Sequence, residues 1–468
     1  MSISRRHLLK GIGATALSAA TLSTLSQALN GFQSANAAVV TGYKALVCIF
    51  LYGGCDTHDV LLPYDQTSYN KFVNIRSSML GAYNGARDRT RLLALTPTNS
   101  ADFGGRQFAL PPEMPGLHGL FQAGNAAIVA NTGPLIKPLN RTQWEQQTVP
   151  VPKQLFSHND QQSTWVASAP EGAQFGWGGR FGDAVVVSGA NNNREFTTIT
   201  TSENDLFLTG ANVLPYQVGL KGTSEINALT EFTDPAISNL LRRHFAAMDF
   251  RRNNLIETDV ARIAEKSVVL NEAYNDALAN LIPLNTDFPP SYLGSQMQAI
   301  ANAIAIRDNL SVRRQVFFAS IGGFDTHSGQ ARELPALLAD LDATISAFYA
   351  AMGELGLADS VTLFTASDFG RTLAPNGDGT DHGWGSHHFV VGKAVQGQKI
   401  YGQVPQPEFG HAQDAGNGRL IPTTSVEQFA EPLGRWFGLN DAEIATALPN
   451  LSSFNTASAV QQIMKASA

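Results

Sequence analysis

Ala45-Leu-Val-Cys-Ile-Phe-Leu-Tyr52 is a run of eight apolar residues that ends in Gly53-Gly54. Its hydrophobicity is continuous rather than alternating, which suits a strand buried on both faces, as in a parallel sheet. The same form recurs at Ala126–Ala130, Gln315–Ile321, Val361–Ala366 and His388–Gly392. Helical spacing lies between several of these runs. From Pro335 to Gly356 it is carried by Leu337, Leu338, Leu341, Ile345, Phe348 and Met352, and Met114 to Gln122 is a shorter example. Thr424 with Glu427 reads as a capping box before Phe429, Leu433, Trp436 and Phe437. Strands alternating with helices predict an α/β fold, a doubly wound and mostly parallel sheet with right-handed crossovers.

Two stretches break the alternation. Residues from about 234 to 310 are rich in Ala, Leu, Asn and Arg and carry helical periodicity, with Asp234 as a cap. They predict a helical insertion. Gly172 to Gly222 is rich in Gly, Asn and Thr, with short runs such as Phe196–Thr200, and predicts a small β-rich lobe. Residues 441–468 predict a short helix and a loose tail.

Three of the apolar runs lead directly into carboxylates and imidazoles. The first gives Asp56, Thr57, His58 and Asp59, the third gives Gly322-Gly-Phe-Asp-Thr-His327, and the fourth gives Asp368. Asp381, His382, His387 and His388 follow within a few residues. In a doubly wound sheet, ligands bind beyond the carboxyl ends of the strands, so these motifs should emerge on one edge. Residues two apart in extended chain face the same way, so Asp56 with His58, and Asp325 with His327, each present two groups to one side. His387 and His388 are adjacent, and only one of them is expected to bind. Carboxylate and imidazole donors suit zinc, manganese or iron better than calcium. Two ions about 3.5–4 Å apart would account for a donor count above four. His58 and Asp59 have an alternative use in hydrogen-bonding the loop, and His118 and His244 read as structural. The Asn376–Asp381 stretch lacks the distal Glu of a calcium loop. Phosphate-binding Gly-x4-Gly-Lys, His-Glu-x-x-His and Gly-x-Ser-x-Gly motifs are absent.

The N-terminus predicts the compartment. Ser4-Arg-Arg-His-Leu-Leu-Lys10 reads as a twin-arginine export signal with the twin-arginine translocase as partner. An apolar stretch follows, and Ala35-Asn36-Ala37 offers a cleavage site, so residues 1–37 are expected to be removed and 38–468 to be the mature domain. The protein is then periplasmic or secreted, and no later run has the eighteen or so apolar residues of a membrane span. The formal net charge is −7, and loss of Arg5, Arg6 and Lys10 makes it three units more negative. That weighs against a general nucleic-acid or anionic-membrane binder, but not against an anionic substrate, because a metal reverses the sign locally. Cys48 and Cys55 are the two cysteines. Seven extended residues span roughly 23 Å, whereas a disulfide needs Cα atoms within about 7 Å, so no bridge is expected.

Taken together, the twin-arginine start, Gly53-Gly-Cys-Asp56, Ser157-His-Asn-Asp-Gln-Gln162, Gly322-Gly-Phe-Asp-Thr-His327, Ser367-Asp-Phe-Gly-Arg-Thr372 and Asp381-His-Gly-Trp-Gly385 resemble the exported domain of unknown function family 1501. That family is similar to the alkaline phosphatase and sulfatase superfamily. The resemblance implies one or two divalent metal ions, zinc or manganese, on an alkaline phosphatase-like sheet, and hydrolysis of a small anionic phosphate or sulfate ester. It implies Asp56 and Asp368 at one ion. At the other it implies Asp325, His327 and one of His382, His387 and His388. It further implies Ser157 as nucleophile, with His158 or Asp160 to orient it and Thr57 as a weaker candidate. Arg371 would either clamp an anionic oxygen or pair with a carboxylate. The sequence departs from the superfamily pattern where Asp368 is followed by Phe369 in place of a His, and it lacks the Cys/Ser-x-Pro/Ala-x-Arg motif of arylsulfatases. The Phe369 departure motivates the alternative, a catalytically degenerate exported binding or assembly protein on the same fold.

Overall fold

The computed structural model describes residues 42–202, 206–223 and 255–466, together with 236, 237 and 240. The export signal, Asp234 and His244 lie outside the described residues.

A nine-stranded sheet forms the centre. Its strands are β1 (Lys44–Leu51), β2 (Ala126–Gly133), β3 (Thr198–Thr200), β4 (Tyr216–Gln217), β5 (Arg314–Ile321) and β6 (Val361–Ser367). After a hairpin of β7 (Arg371–Pro375) and β8 (Thr380–His382), the sheet continues with β9 (Ser386–Val391), β10 (Ile400–Tyr401) and β11 (Thr424–Ser425). The order across the sheet is β10-β2-β9-β6-β1-β5-β3-β4, with β11 also paired to β2. Every pairing is parallel except those of β9, which runs antiparallel to β2 and β6. The sheet is therefore mostly parallel and the fold mixed α/β.

The continuous apolar runs are explained by the two faces. Ala45, Val47, Ile49 and Leu51 enter one core with Leu117, Met297, Ile300, Leu338 and Ile345. Leu46, Cys48 and Phe50 enter the other with Trp165, Trp177, Phe181, Phe429 and Leu433. The first face thus carries α2 (Pro115–Gln122), which follows α1 (Gln66–Leu80), together with α6 (Tyr292–Ala305) and α7 (Gln330–Glu354). The second carries α3 (His158–Ala167), α4 (Trp177–Val187) and α8 (Val426–Phe437). Helix α5 (Leu255–Ala279) precedes α6. Burying each strand on both faces removes apolar area from water at about 25 cal/mol per Å².

Several expectations change. Thr198–Thr200 belongs to the main sheet beside β5, because Ile199 is buried in its first core, and the helix α4 lies within the expected β-rich lobe. Helix α6 packs on β5 and α7 as part of the core. The capping box is Ser425 with Gln428, one residue later than expected, since Thr424 pairs with β2. The C-terminal tail is anchored by buried Val460 and Ile463. Helix α7 is long and apolar enough to cross a membrane by length and composition, but Leu334, Leu338, Leu341 and Ile345 are buried in the core. Cys48 and Cys55 are buried and free.

Candidate metal centre

Strand register sets the position of the centre. Leu51, the last residue of β1, pairs with Ile321 at the end of β5 and with Ser367 at the end of β6. The three motif-bearing loops therefore leave the sheet side by side. Gly53 lets two of them touch. Its φ is +112°, and a Cβ there would lie 2.4 Å from the backbone nitrogen of Asp325. Glycine alone fits that approach.

Asp325 is the hub. Its Oδ1 lies 3.1 Å from Nε2 of His327 and 3.1 Å from Nε2 of His382, and those two nitrogens are 2.8 Å apart. Its Oδ2 lies 3.6 Å from Nε2 of His158. Donor atoms of His158, Asp325 and His382 all fall within 4.8 Å of one another. A metal with bonds of about 2.0–2.2 Å holds neighbouring donor atoms roughly 3–3.5 Å apart, and the 3.1 and 3.6 Å separations of His382 and His158 from Asp325 are of that order. The chemistry of the set suits a first-row divalent ion.

The tautomers also fit. Nδ1 of His382 is 2.8 Å from the carbonyl oxygen of Phe156, which only accepts, so Nδ1 carries the proton and Nε2 presents its lone pair. Nδ1 of His158 is 2.6 Å from Oδ2 of Asp368. That oxygen also accepts from Gln162 Nε2 at 2.9 Å and from the Gly53 amide at 3.3 Å. Asp368 thus stands behind His158, in the carboxylate–histidine relay that orients metal-binding imidazoles. Behind His327, Asp381 Oδ1 lies 3.4 Å from Nδ1.

Electrostatics follow the same contacts. The hydrogen bond to Asp368 raises the His158 pKa against the opposing effect of burial. Burial lowers that of His382. Burial works upward on Asp325, but the hydrogen bond and charge of Arg371 outweigh it and keep the carboxylate below its usual value. Arg371 is itself buried. Nη1 donates to Asp325 Oδ1 at 2.8 Å and to the Gly53 carbonyl at 3.0 Å, Nε donates to Thr380 Oγ1, and Nη2 donates to the Thr380 carbonyl. Of the two uses expected for it, pairing with a carboxylate is the one seen. Its donors are committed, so it holds Asp325 and the loops together.

Other expected residues lie elsewhere. Asp56 is fully buried, with Arg76 Nη1 at 2.5 Å, Arg76 Nη2 at 3.0 Å and Gln330 Nε2 at 2.6 Å. Arg76 and Gln330 engage both oxygens of this carboxylate, and Asp56 is not among the grouped donor atoms. Asp59 pairs with Arg87, and His58 Nε2 donates to the Gly418 carbonyl, so both residues take their alternative use in bonding the loop. His387 accepts the Asn131 amide through Nδ1. His388 is enclosed between Trp165 and Phe429, and neither ring nitrogen has a hydrogen-bond partner among the described residues. Both imidazoles are held neutral by burial, which lowers their pKa values to about 3. Neither reaches the cluster. His118 donates to the Ala94 carbonyl as a structural histidine. Ser157 is the N-cap residue of α3 without capping it, and its hydroxyl donates to Asp160 at 3.2 Å. The buried Thr57 hydroxyl has no partner among the described residues.

Sequence reasoning missed four participants. Arg76 lies on α1 with no motif around it, and Gln330 opens α7 three residues after the Gly322–His327 motif. Gln162 stands in the quoted Ser157–Gln162 motif, and its i+4 spacing from His158 on one helix was the available signal. Arg419 donates through Nε to the His382 carbonyl at 2.7 Å and lies over the Phe156 ring, 5.2 Å from its centroid.

Among solved structures, the chain is similar to Ps i-CgsB at 10% identity, covering 89% of this chain and 78% of that one, with a TM-score of 0.36. It is similar to PsFucS1 sulfatase from Pseudoalteromonas sp. at 11% identity, over 95% and 76% of the two chains, with a TM-score of 0.30. It is also similar to the zinc complex of the C-terminal periplasmic domain of EcEptC from Escherichia coli, at 10% identity over 75% and 74%, with a TM-score of 0.27. No curated protein matches. The family model described as "Protein of unknown function (DUF1501)" matches residues 43–448. The chain belongs to the DUF1501 family.

Proposed function

We propose that the chain is an exported, metal-dependent hydrolase of phosphate or sulfate esters on a doubly wound, alkaline phosphatase-like sheet. The observation that carries this reading is the meeting of His158, Asp325 and His382 donor atoms within 4.8 Å beyond the β1, β5 and β6 ends. His158, Asp325 and His382 would hold a zinc or manganese ion, with His327 completing the set. The ion would supply Lewis-acid stabilisation of the anionic oxygens. With Asp56 taken by Arg76, the reading needs one ion rather than two. Asp368 fixes the His158 ring, Arg371 fixes Asp325, and the Phe156 carbonyl fixes His382. In this reading the Ser157 oxygen would attack the phosphorus or sulfur as its proton passes to Asp160, the carboxylate that accepts its hydroxyl. The bond to the alcohol oxygen would break, Asp160 would return the proton to the departing alkoxide, and water would then hydrolyse the covalent ester and restore the Ser157 hydroxyl.

Two observations favour the second reading, a binding or assembly protein that retains the centre without turnover. Phe369 packs against His158 and His382 at centroid distances of 4.9 and 4.8 Å, and Arg76 fills the Asp56 side. The test is metal analysis of the mature chain from its native compartment, followed by a panel of phosphomonoesters, phosphodiesters and sulfate esters. The hydrolase reading expects about one equivalent of transition metal and turnover lost in Asp325→Asn and Ser157→Ala. Bound metal without turnover of any ester selects the second reading, and no bound metal overturns both.

A further inference from the structure

An open groove of about 520 Å³ lies in the long connection between β2 and α3, which carries the short helix Arg141–Glu145, with Trp144, Gln147, Val149 and Pro150 among its walls. This loop begins where β2 leaves the sheet and ends at Phe156, immediately before Ser157 and His158. Long loops of this kind at the carboxyl edge of a sheet commonly carry substrate recognition.

The groove is joined to the candidate centre through fixed contacts. The Trp144 ring packs edge-on to Phe156 at 6.3 Å and against Trp384 at 5.6 Å. Its indole Nε1 donates to the Ala415 carbonyl at 3.2 Å. The Phe156 carbonyl receives His382 Nδ1, and Trp384 stands two residues after His382. The indole that lines the groove is thus locked by one hydrogen bond and two aromatic neighbours, both tied to His382.

We infer that the Trp144 groove binds the alcohol portion of the ester, and that this portion is a sugar ring. A pyranose has one apolar C–H face and a rim of hydroxyls. A rigid indole supplies a flat apolar platform, and the exposed Gln147 amide in the same lining supplies hydrogen-bond partners, while the Glu145 carboxylate is held by Arg141 at 2.7 Å. The groove is open to water and has a polar rim, whereas a wholly apolar leaving group would call for an enclosed apolar slot. Arg419, 5.2 Å from the Phe156 ring centroid and bonded to the His382 carbonyl, adds a cation beside the candidate centre. The inference rests on the hydrolase reading for its orientation, but sugar binding is measurable without turnover.

The test is calorimetric binding of glucose 6-phosphate, glucose 6-sulfate, inorganic phosphate and inorganic sulfate to the metal-loaded mature chain. The wild type should bind a sugar ester more tightly than the matching inorganic anion. Trp144→Ala and the rim variant Gln147→Ala should each weaken sugar-ester binding, the former roughly tenfold, and leave inorganic anion binding unchanged. Gln147 is exposed, so its variant keeps the question open if Trp144→Ala fails to fold. Equal affinity for sugar ester and inorganic anion, or sugar-ester binding unaltered in the folded variants, overturns the inference. Sugar-ester binding without hydrolysis upholds the groove and overturns only the hydrolase reading.

Discussion

Asp368 and Asp56 carry the same charge and leave neighbouring strands, yet their partners put them to opposite uses. Asp368 is fully buried, and its Oδ2 receives three donors, one of them the Nδ1 of His158. Its other oxygen has no partner among the described residues. Removing the carboxylate frees the His158 ring without touching any other donor of the cluster. Asp368→Ala is therefore expected to weaken metal affinity about 10–100-fold, the usual effect of losing such a partner. Competition with a chromogenic chelator measures it, and unchanged affinity would mean that Asp368 does not orient a metal-binding imidazole. Asp56 instead neutralises Arg76 inside the protein. Breaking a fully buried pair from one side leaves an uncompensated charge, so Arg76→Ala should cost about 3–5 kcal/mol in urea unfolding. The paired replacement Arg76→Met with Asp56→Leu removes the unpaired charge and should recover part of that loss, because the Thr372 and Leu373 carbonyls and the Gln330 amide lose these partners, while metal stoichiometry stays as in wild type.

At the level of elements, the loops after β1 and β5 behave as one unit. Gly53→Ala places a Cβ 2.4 Å from the Asp325 nitrogen and forces a side chain onto a φ of +112°. The variant should lose well over 1 kcal/mol of stability and shift Asp325 enough to lower metal stoichiometry after dialysis. Stability loss with full metal binding would show that the loop contact does not position Asp325. The β1, β5 and β6 strands were legible in the chain because burial on both faces writes itself as unbroken apolar residues, as in Ala45 to Leu51. The clustering of Asp325, His327 and His382 was legible for a related reason, since adjacent parallel strands bring their following loops to one edge. What could not be read was which carboxylate an arginine would claim. Arg76 reaches Asp56 from α1, twenty residues along the chain, and no periodicity encodes that meeting. His387 and His388 misled because β9 runs antiparallel, so its first residues point into the two cores rather than out of the edge. Ile199 misled for a different reason, because a three-residue strand carries too little pattern to distinguish a main-sheet strand, here paired on both sides, from a hairpin.

Across the whole molecule, burial of neutral imidazoles fixes how the protein responds to acid. His387 and His388 are buried and His58 is partly buried, and loss of hydration lowers their pKa values from 6.5 to about 3, 3 and 4 respectively. In the unfolded chain each titrates near 6.5. Below that value the unfolded state binds protons that the folded state refuses, so unfolding is favoured as pH falls. The stabilising difference is fully present above pH 6.5 and is lost progressively toward pH 4 for His58 and pH 3 for the other two. Each group contributes a slope on the order of 1 kcal/mol per pH unit within its window. Urea unfolding of the metal-free chain from pH 7.5 to 4.5 should therefore show stability falling steeply below about pH 6.5. His388→Phe keeps the aromatic packing against Trp165 and Phe429 and removes one titrating group, so its stability should fall less steeply over the same range. A His388→Phe slope equal to wild type would mean that His388 is protonated in the folded state and that its surroundings are wetter than the packing of β9, α3 and α8 implies.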